Sequence, residues 1–102
     1  MVLEIADMNV LPGKQAAFEA AVARGLGPVH ARGKGMRGYW LHHCIEAPNR
    51  YLLQVQWDTV EDRLTICRED ELSPEFGALI MEFFSRPPVV RRFELVIRAG
   101  GC

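Results

Sequence analysis

The feature that most constrains the fold is a pair of β-prone runs separated by a short Pro-Asn-Arg turn. YWLHHCIEA occupies residues 39–47, and YLLQVQW occupies residues 51–57. Runs of this kind on either side of a short turn predict an antiparallel hairpin. Since the two strands of a hairpin lie side by side, the helices of the chain must pack on a face of the sheet.

Segments before the hairpin predict one more strand and one helix. VLEIADMNV at residues 2–10 predicts a first strand, and Pro-Gly-Lys at residues 12–14 is a turn that ends it. Helical spacing of apolar residues over 14–25 predicts an amphipathic helix. We expect this helix to kink or end near Pro28, because proline lacks a backbone donor and clashes with the preceding turn. Residues 32–38 are a glycine-rich basic loop.

Two helical pieces and a last strand follow the hairpin. The first piece covers residues 58–67, and the second covers residues 73–84 with Pro74 at its first helical position. The last strand is predicted over residues 89–98. The order β-α-β-β-α-β predicts a ferredoxin-like α+β fold, a four-stranded antiparallel sheet with helices on one face. The second piece carries a core-facing stripe of Phe76, Leu79, Ile80, Phe83 and Phe84.

Composition indicates one globular domain over residues 1–102, with 49% apolar residues. A net charge of −1 argues against nucleic acid and anionic membranes as partners. No signal peptide is visible, and no apolar run approaches the ~18 residues of a membrane span. Cys44, Cys67 and Cys102 lack the spacing of a metal site, so we expect free thiols in a reducing cytoplasm.

The sheet face without helices is predicted to be too apolar for water. In the strand over residues 51–57, alternation places Tyr51, Leu53, Val55 and Trp57 on one face and Leu52, Gln54 and Gln56 on the other. Neither face of the predicted strand over residues 39–47 is polar enough to be exposed to solvent. Because contiguous apolar patches usually mark interfaces, we expect a homodimer that packs sheet against sheet.

Several motifs together resemble the antibiotic biosynthesis monooxygenase domain family. They are LPGKQAAFEAA, the Pro-Asn-Arg hairpin, the WDTVED corner, SPEF and FFSRPPVV, which span most of the chain. The resemblance implies a dimeric alpha-beta barrel. Some members oxidise aromatic polyketides or quinols with O2 and no prosthetic group, others degrade haem, and many have no known substrate. No cofactor is therefore expected.

This chain departs from the family pattern at two positions. Arg63 and Arg92 stand where members often carry histidine. Arginine stays charged and cannot shuttle protons, so these residues would hold an anion instead. Haem degradation is disfavoured because residues 60–84 contain neither Trp nor His to match the family's haem site. Haem-degrading members also use an asparagine. Asn9 lies on the first predicted strand, but its position relative to the Pro-Gly turn does not match well.

Each candidate residue has a structural alternative. Trp57 is either a core anchor or a wall on which a flat aromatic ligand stacks. Arg63 is either a surface ion pair or a cation at a pocket mouth. His42 and His43 point to opposite faces and cannot bind one metal together, so no metal site is expected. His43 is the candidate proton acceptor, and Arg92 is favoured over its neighbour as the anion-holding residue.

These residues favour a cofactor-independent monooxygenase that oxidises an electron-rich aromatic or quinol molecule with O2. The predicted catalytic residues are His43, Arg63 and Arg92, and the predicted substrate-binding residues are Trp57, Phe76, Phe84 and Asn9. The alternative is a non-catalytic dimeric protein of the same fold that binds a small ligand. A polyketide-cyclase-like folding chaperone is a third option, but it would need an acid–base pair that the sequence does not place.

Overall fold

A computed structural model describes residues 1–31, 35–59, 61 and 74–100. The predicted ferredoxin-like α+β fold is confirmed. Most of the first helical piece predicted after the hairpin, together with Ser73, lies outside the described residues. The described elements, in chain order, are β1 (Val2–Asn9), α1 (Gln15–Ala31), β2 (Met36–His43), β3 (Arg50–Trp57), α2 (Pro74–Met81) and β4 (Val89–Glu94).

The four strands form one antiparallel sheet in the order β2-β3-β1-β4. The predicted hairpin pairs β2 with β3, and β1 lies between β3 and β4. Glu4 pairs with Val55 on one side and with Arg92 on the other. Directly paired residues point to the same face of a sheet, so Glu4 and Arg92 lie on one face.

The helix face of the sheet carries the core. Phe18 of α1 is fully buried, and its ring centroid lies 5.1 Å from that of Tyr51, 5.9 Å from Phe83 and 5.8 Å from Phe84. Tyr51 and Trp57 are also buried, as the alternation of β3 predicted. Aromatic rings at these separations and tilts attract one another beyond the burial of their area.

The opposite face of the sheet has no helix over it among the described residues. We name it the open face. Trp40 and Phe93 remain 44% and 49% exposed there, so two large aromatic side chains meet solvent in the single chain. The indole of Trp40 lies against Gly38, where an added Cβ would come within 2.8 Å of the ring. Apolar side chains of the open face are Leu3, Ile5, Trp40, Leu52, Val89 and Phe93.

Of the two outcomes predicted near Pro28, an end of the helix did not occur, because α1 continues to Ala31, and a kink stays a prediction. Leu26 is buried in the core and holds the preceding turn. After the proline, His30 Nε2 lies 3.3 Å from the backbone oxygen of Arg37, which ties the last turn to β2. Arg24 is exposed, so water can hydrogen-bond to the carbonyl that Pro28 leaves without a donor.

Two strands have ends that differ from the prediction. β2 begins at Met36, inside the predicted loop, because Met36 pairs with Trp57 through a bulge. It ends at His43, and the turn that follows is closed by the Cys44 N–H, which donates to the Arg50 oxygen at 2.9 Å. β4 ends at Glu94 instead of residue 98, because Glu94 already pairs with the first residue of β1.

The predicted helix over residues 73–84 is shorter in the structure. α2 does begin at Pro74, but it ends at Met81. Phe83 and Phe84 follow it in a turn, where the Leu11 N–H donates to the Phe83 oxygen at 2.7 Å and Phe84 forms a bridge with Val10. Pairing with the end of β1 replaces the last helical turn. Leu79 of the predicted stripe is 41% exposed, and the side chain of Phe76 lies outside the described part.

Across the described ranges, neither helix combines the length and apolar character needed to cross a bilayer.

Candidate functional site

An apolar cavity of about 150 Å³ lies between the helix face of the sheet and the helices. A cavity of about this volume can hold a single benzene ring, so a larger ligand would extend out of it. Side chains from β1, α1, β2, β3 and α2 form its wall. The described residues that line it are Glu4, Met8, Phe18, Val22, Leu26, Met36, Leu53, Val55, Trp57 and Ile80.

Trp57, the last residue of β3, lines this apolar wall and carries one polar atom, the indole Nε1. Its side chain is buried, and among the described residues no acceptor lies within hydrogen-bond distance of Nε1. Burial of an N–H group without an acceptor costs free energy, so such groups usually have a hydrogen-bond partner. The corner after Trp57 is fixed in place. The Asp58 N–H donates to the Gly35 oxygen at 2.8 Å, and Arg37 Nε lies 2.9 Å from Asp58 Oδ1.

Glu4 of β1 places a carboxylate on the same wall. Its side chain is only 13% exposed, and Oε2 lies 3.6 Å from Arg92 Nη1. Sequence reasoning missed Glu4. A signal was available, because alternation along β1 puts Glu4 on the face that it shares with Val2, Ala6 and Met8. A carboxylate on an otherwise apolar face of a strand is a sequence pattern that indicates a candidate site residue.

His43 does not line this cavity. Its ring stacks on Tyr51 with centroids 4.5 Å apart and 8° between the planes. Its Nε2 lies 2.6 Å from the Pro48 oxygen and therefore acts as a donor. His43 instead helps to line a separate depression of about 260 Å³, together with His42, Cys44, Arg50, Tyr51 and Leu52.

Tyr51 links the hairpin to α1. Its hydroxyl donates to Glu19 Oε2 at 2.5 Å, and its ring packs against Phe18. Burial of the hydroxyl, followed by the hydrogen bond to Glu19 and the charge of that carboxylate, raises the pKa of Tyr51 to about 12. The tyrosine therefore stays neutral over the physiological range and acts as a structural donor.

The fold agrees with comparisons to known proteins. The sequence profile of the family described as antibiotic biosynthesis monooxygenase matches residues 1–71. The chain belongs to the antibiotic biosynthesis monooxygenase family. It is 34% identical over 97 residues to the uncharacterized protein YczJ of Bacillus subtilis, a match that covers 92% of this chain and 98% of the relative.

Two solved structures extend the comparison. A Bordetella bronchiseptica protein that bears the name of this family is 40% identical, with a TM-score of 0.80 over 94% of this chain and 97% of that one. A mutant of SnoaB from Streptomyces nogalater, described as a cofactor-independent oxygenase, has a TM-score of 0.82 at 16% identity, covering 95% of this chain and 94% of that one. At that identity, the likeness to SnoaB shows a shared fold.

In this family member the predicted site residues do not all converge. Trp57 lines the cavity. Arg92 does not line it, but its side chain contacts Glu4, which does. Phe84 packs against Phe18 behind the cavity wall. Asn9 lies at the end of β1, where its backbone oxygen accepts a hydrogen bond from the Ser85 N–H at 2.9 Å. Arg63 and the side chain of Phe76 lie outside the described residues.

The raised pKa of Tyr51 predicts a loss of stability in strong base. Unfolded tyrosine loses its proton near pH 10, whereas folded Tyr51 keeps its proton to about pH 12. The contribution is therefore fully present below about pH 10 and is lost as the pH rises to about 12, by roughly 2 kcal/mol. Urea unfolding at several alkaline pH values should show this loss in the wild type.

Tyr51→Phe should remove that part of the pH dependence, because phenylalanine has no proton to lose. Tyr39→Phe is the matched control and should keep the wild-type slope. Equal slopes in the wild type and Tyr51→Phe would contradict the assignment.

Proposed function

We propose that this family member is a cofactor-independent monooxygenase that oxidises an electron-rich aromatic or quinol molecule with O2. The observation that carries the proposal is the apolar cavity beside Trp57, whose buried Nε1–H has no acceptor among the described residues. Family membership supports a monooxygenase-like or small-molecule-binding function. The shared fold of SnoaB, described as a cofactor-independent oxygenase, is consistent with the more specific activity.

The chemistry requires a ring that can lose a proton and then an electron. Apolar side chains would hold the ring, and Trp57 would donate a hydrogen bond to the oxygen on which negative charge develops. The carbanion or phenolate would pass one electron to O2, and the two radicals would recombine to a peroxide anion. That anion would take up the proton that the ring lost and become a hydroperoxide. For an anthrone, loss of water from that hydroperoxide converts the CH2 group and O2 into a carbonyl group and H2O.

The catalytic roles of His43, Arg63 and Arg92 stay predictions. Nε2 of His43 already donates to the Pro48 oxygen, so any proton acceptor on this ring would have to be Nδ1. Arg92 already faces a carboxylate, so its charge is partly compensated before a ligand enters.

The alternative is a non-catalytic protein that binds a small aromatic ligand in the same cavity. Arginine in place of the histidine that relatives often carry at residues 63 and 92 favours this alternative, because arginine cannot exchange a proton near neutral pH. Both functions use the same cavity, so only turnover separates them.

Oxygen uptake with a panel of hydroquinones and anthrones tests the proposal. We expect O2 consumption above the buffer rate in the wild type. Trp57→Phe keeps an aromatic ring but removes the N–H donor, and it should lower kcat/KM at least about tenfold, since one such donor contributes about 10²–10³ in related sites. Trp40→Phe on the open face is the matched control and should keep activity.

The outcomes separate the two functions. Wild-type turnover with unchanged kcat/KM in Trp57→Phe would remove Trp57 from the mechanism. Arg63→Ala tests the predicted cation in the same assay. Ligand-induced thermal stabilisation without O2 uptake would support the binding protein, and the absence of both across the panel would overturn both proposals.

We also propose that the working unit is a homodimer closed through the open face. Its apolar side chains would be covered by a second copy, and the cavities on the helix faces would remain separate. The free thiol of Cys44 fits a reducing, cytoplasmic compartment.

A further inference from the structure

The carboxylate of Glu4 has no role in the function proposed above, yet it lies on the cavity wall. Nine of the ten described lining residues are apolar or aromatic, and Glu4 is the charged exception among them. Charged side chains are seldom placed in apolar surroundings without a partner, and here Arg92 is one partner. Glu4 therefore brings a compensated hydrogen-bond acceptor to the cavity.

We propose that Glu4 determines ligand specificity by accepting a hydrogen bond from the hydroxyl group of a neutral hydroxyaromatic ligand. This inference rests on the proposed use of the cavity as a binding site. Val2 pairs with Trp57, and Glu4 lies two residues further along β1 on the same face. Such diagonal neighbours are roughly 7–8 Å apart. An aromatic ring between them can donate its hydroxyl to Glu4 and accept from Trp57 Nε1 through a second oxygen.

Arg92 is a positioning residue in this arrangement. It pairs directly with Glu4 on the neighbouring strand, and its side chain is 46% exposed whereas that of Glu4 is 13% exposed. The carboxylate of Glu4 and the guanidinium of Arg92 carry opposite charges. A bound anion would be repelled by Glu4 while gaining little from an arginine that already has a carboxylate partner. The cavity should therefore prefer a neutral hydroxyl group over an anion, in contrast to the expectation that Arg92 holds an anion.

Three fluorinated probes separate these cases by ¹⁹F NMR titration at neutral pH. 4-Fluorophenol is neutral and has a hydroxyl proton, 4-fluoroanisole replaces that proton with a methyl group, and 4-fluorobenzoate is an anion. We expect the wild type to bind 4-fluorophenol at least about tenfold more tightly than either of the others, because hydrogen bonds to charged acceptors are among the stronger ones.

Glu4→Gln keeps the shape of the side chain but removes its charge. We expect it to weaken 4-fluorophenol binding about tenfold, since a charged acceptor becomes a neutral one. The same variant should strengthen 4-fluorobenzoate binding, because the charge of Glu4 would no longer repel the anion. Glu94→Gln, on the same strand face but outside the cavity, is the matched control and should bind all three probes like the wild type.

Arg92→Gln provides a second variant in case Glu4→Gln does not fold, which circular dichroism will show. This variant should weaken 4-fluorophenol binding, because Arg92 would no longer position the carboxylate of Glu4. It should not gain affinity for 4-fluorobenzoate, because the charge of Glu4 remains. Equal binding of phenol and anisole by the wild type would overturn the assignment of Glu4, as would an unchanged preference in Glu4→Gln. Failure of all three probes to bind the wild type would also overturn it, whereas the oxygenase proposal is decided separately by O2 uptake.

Discussion

Phe18→Ala is expected to lower the free energy of unfolding by about 3–5 kcal/mol, the usual range for a fully buried phenylalanine. Phe18 has no exposed surface, and its ring contacts Tyr51, Phe83 and Phe84 at centroid distances between 5.1 and 5.9 Å. One side chain of α1 thus joins the hairpin to the turn after α2. Its removal leaves a void that this rigid cluster cannot fill.

Urea unfolding followed by circular dichroism, at one fixed protein concentration, measures the loss. A domain of this size is stable by about 5–15 kcal/mol, so Phe18→Ala should be severely destabilised or unfolded. Phe18→Leu retains much of the volume and should lose roughly half as much or less. Leu79→Ala, at a position 41% exposed, should change stability little. A loss below about 1 kcal/mol in Phe18→Ala would show that the aromatic cluster does not anchor the fold.

The architecture could be predicted because apolar and polar residues alternate along a strand, and this alternation shows which side chains share a face of the sheet. Along β3, Tyr51, Val55 and Trp57 share the buried face, while Leu52 and Gln54 share the other. A shift of one residue in register would have exposed Trp57 and buried the glutamines, so the pattern determines which residues face the helices. The hairpin and the β-α-β-β-α-β order followed from the same signal.

Element ends were less predictable because they depend on residues distant in the chain. β4 ends where β1 has no further partner to offer, since Val2 pairs with Glu94. Phe83 and Phe84 have helical spacing, yet the turn they occupy hydrogen-bonds to the end of β1. The contact between His30 and Arg37 extends α1 beyond Pro28, although proline alone argues for a stop.

The candidate site was predictable only in part, for a similar reason. Trp57 could be singled out because it stands where a strand ends and helix-capping residues begin. Glu4 gains its meaning from its pairing with Arg92 and from the cavity beside it, and neither can be read from the order of residues. The stack of His43 on Tyr51 likewise depends on the register of β2 against β3.

The exposed apolar side chains of the open face lead to the prediction with the largest expected effect on the oligomeric state. Phe93 is 49% exposed and pairs with Leu3 on one side of the sheet, while Trp40 is 44% exposed near the other edge. Leu95 and Ile97 continue beyond β4 and remain 52% and 84% exposed, next to a depression of about 410 Å³ that they share with Leu3 and Phe93. A second copy packed on this face would cover these groups, and stable interfaces bury about 800 Å² per partner.

If the proposed dimer forms, Phe93→Asp should convert it into a monomer at micromolar concentration. A central aromatic residue of an interface typically contributes at least about 2 kcal/mol, so the dimer dissociation constant should rise at least about thirtyfold. Size-exclusion chromatography with light scattering should give the wild type twice the 11.5 kDa of one chain, and the variant a single chain mass. Ile45→Asp is the control, because Ile45 is 94% exposed in the hairpin turn and lies outside the sheet. A wild-type mass of one chain across the same concentrations would refute the dimer, and an unchanged dimer in Phe93→Asp would place the interface on another surface.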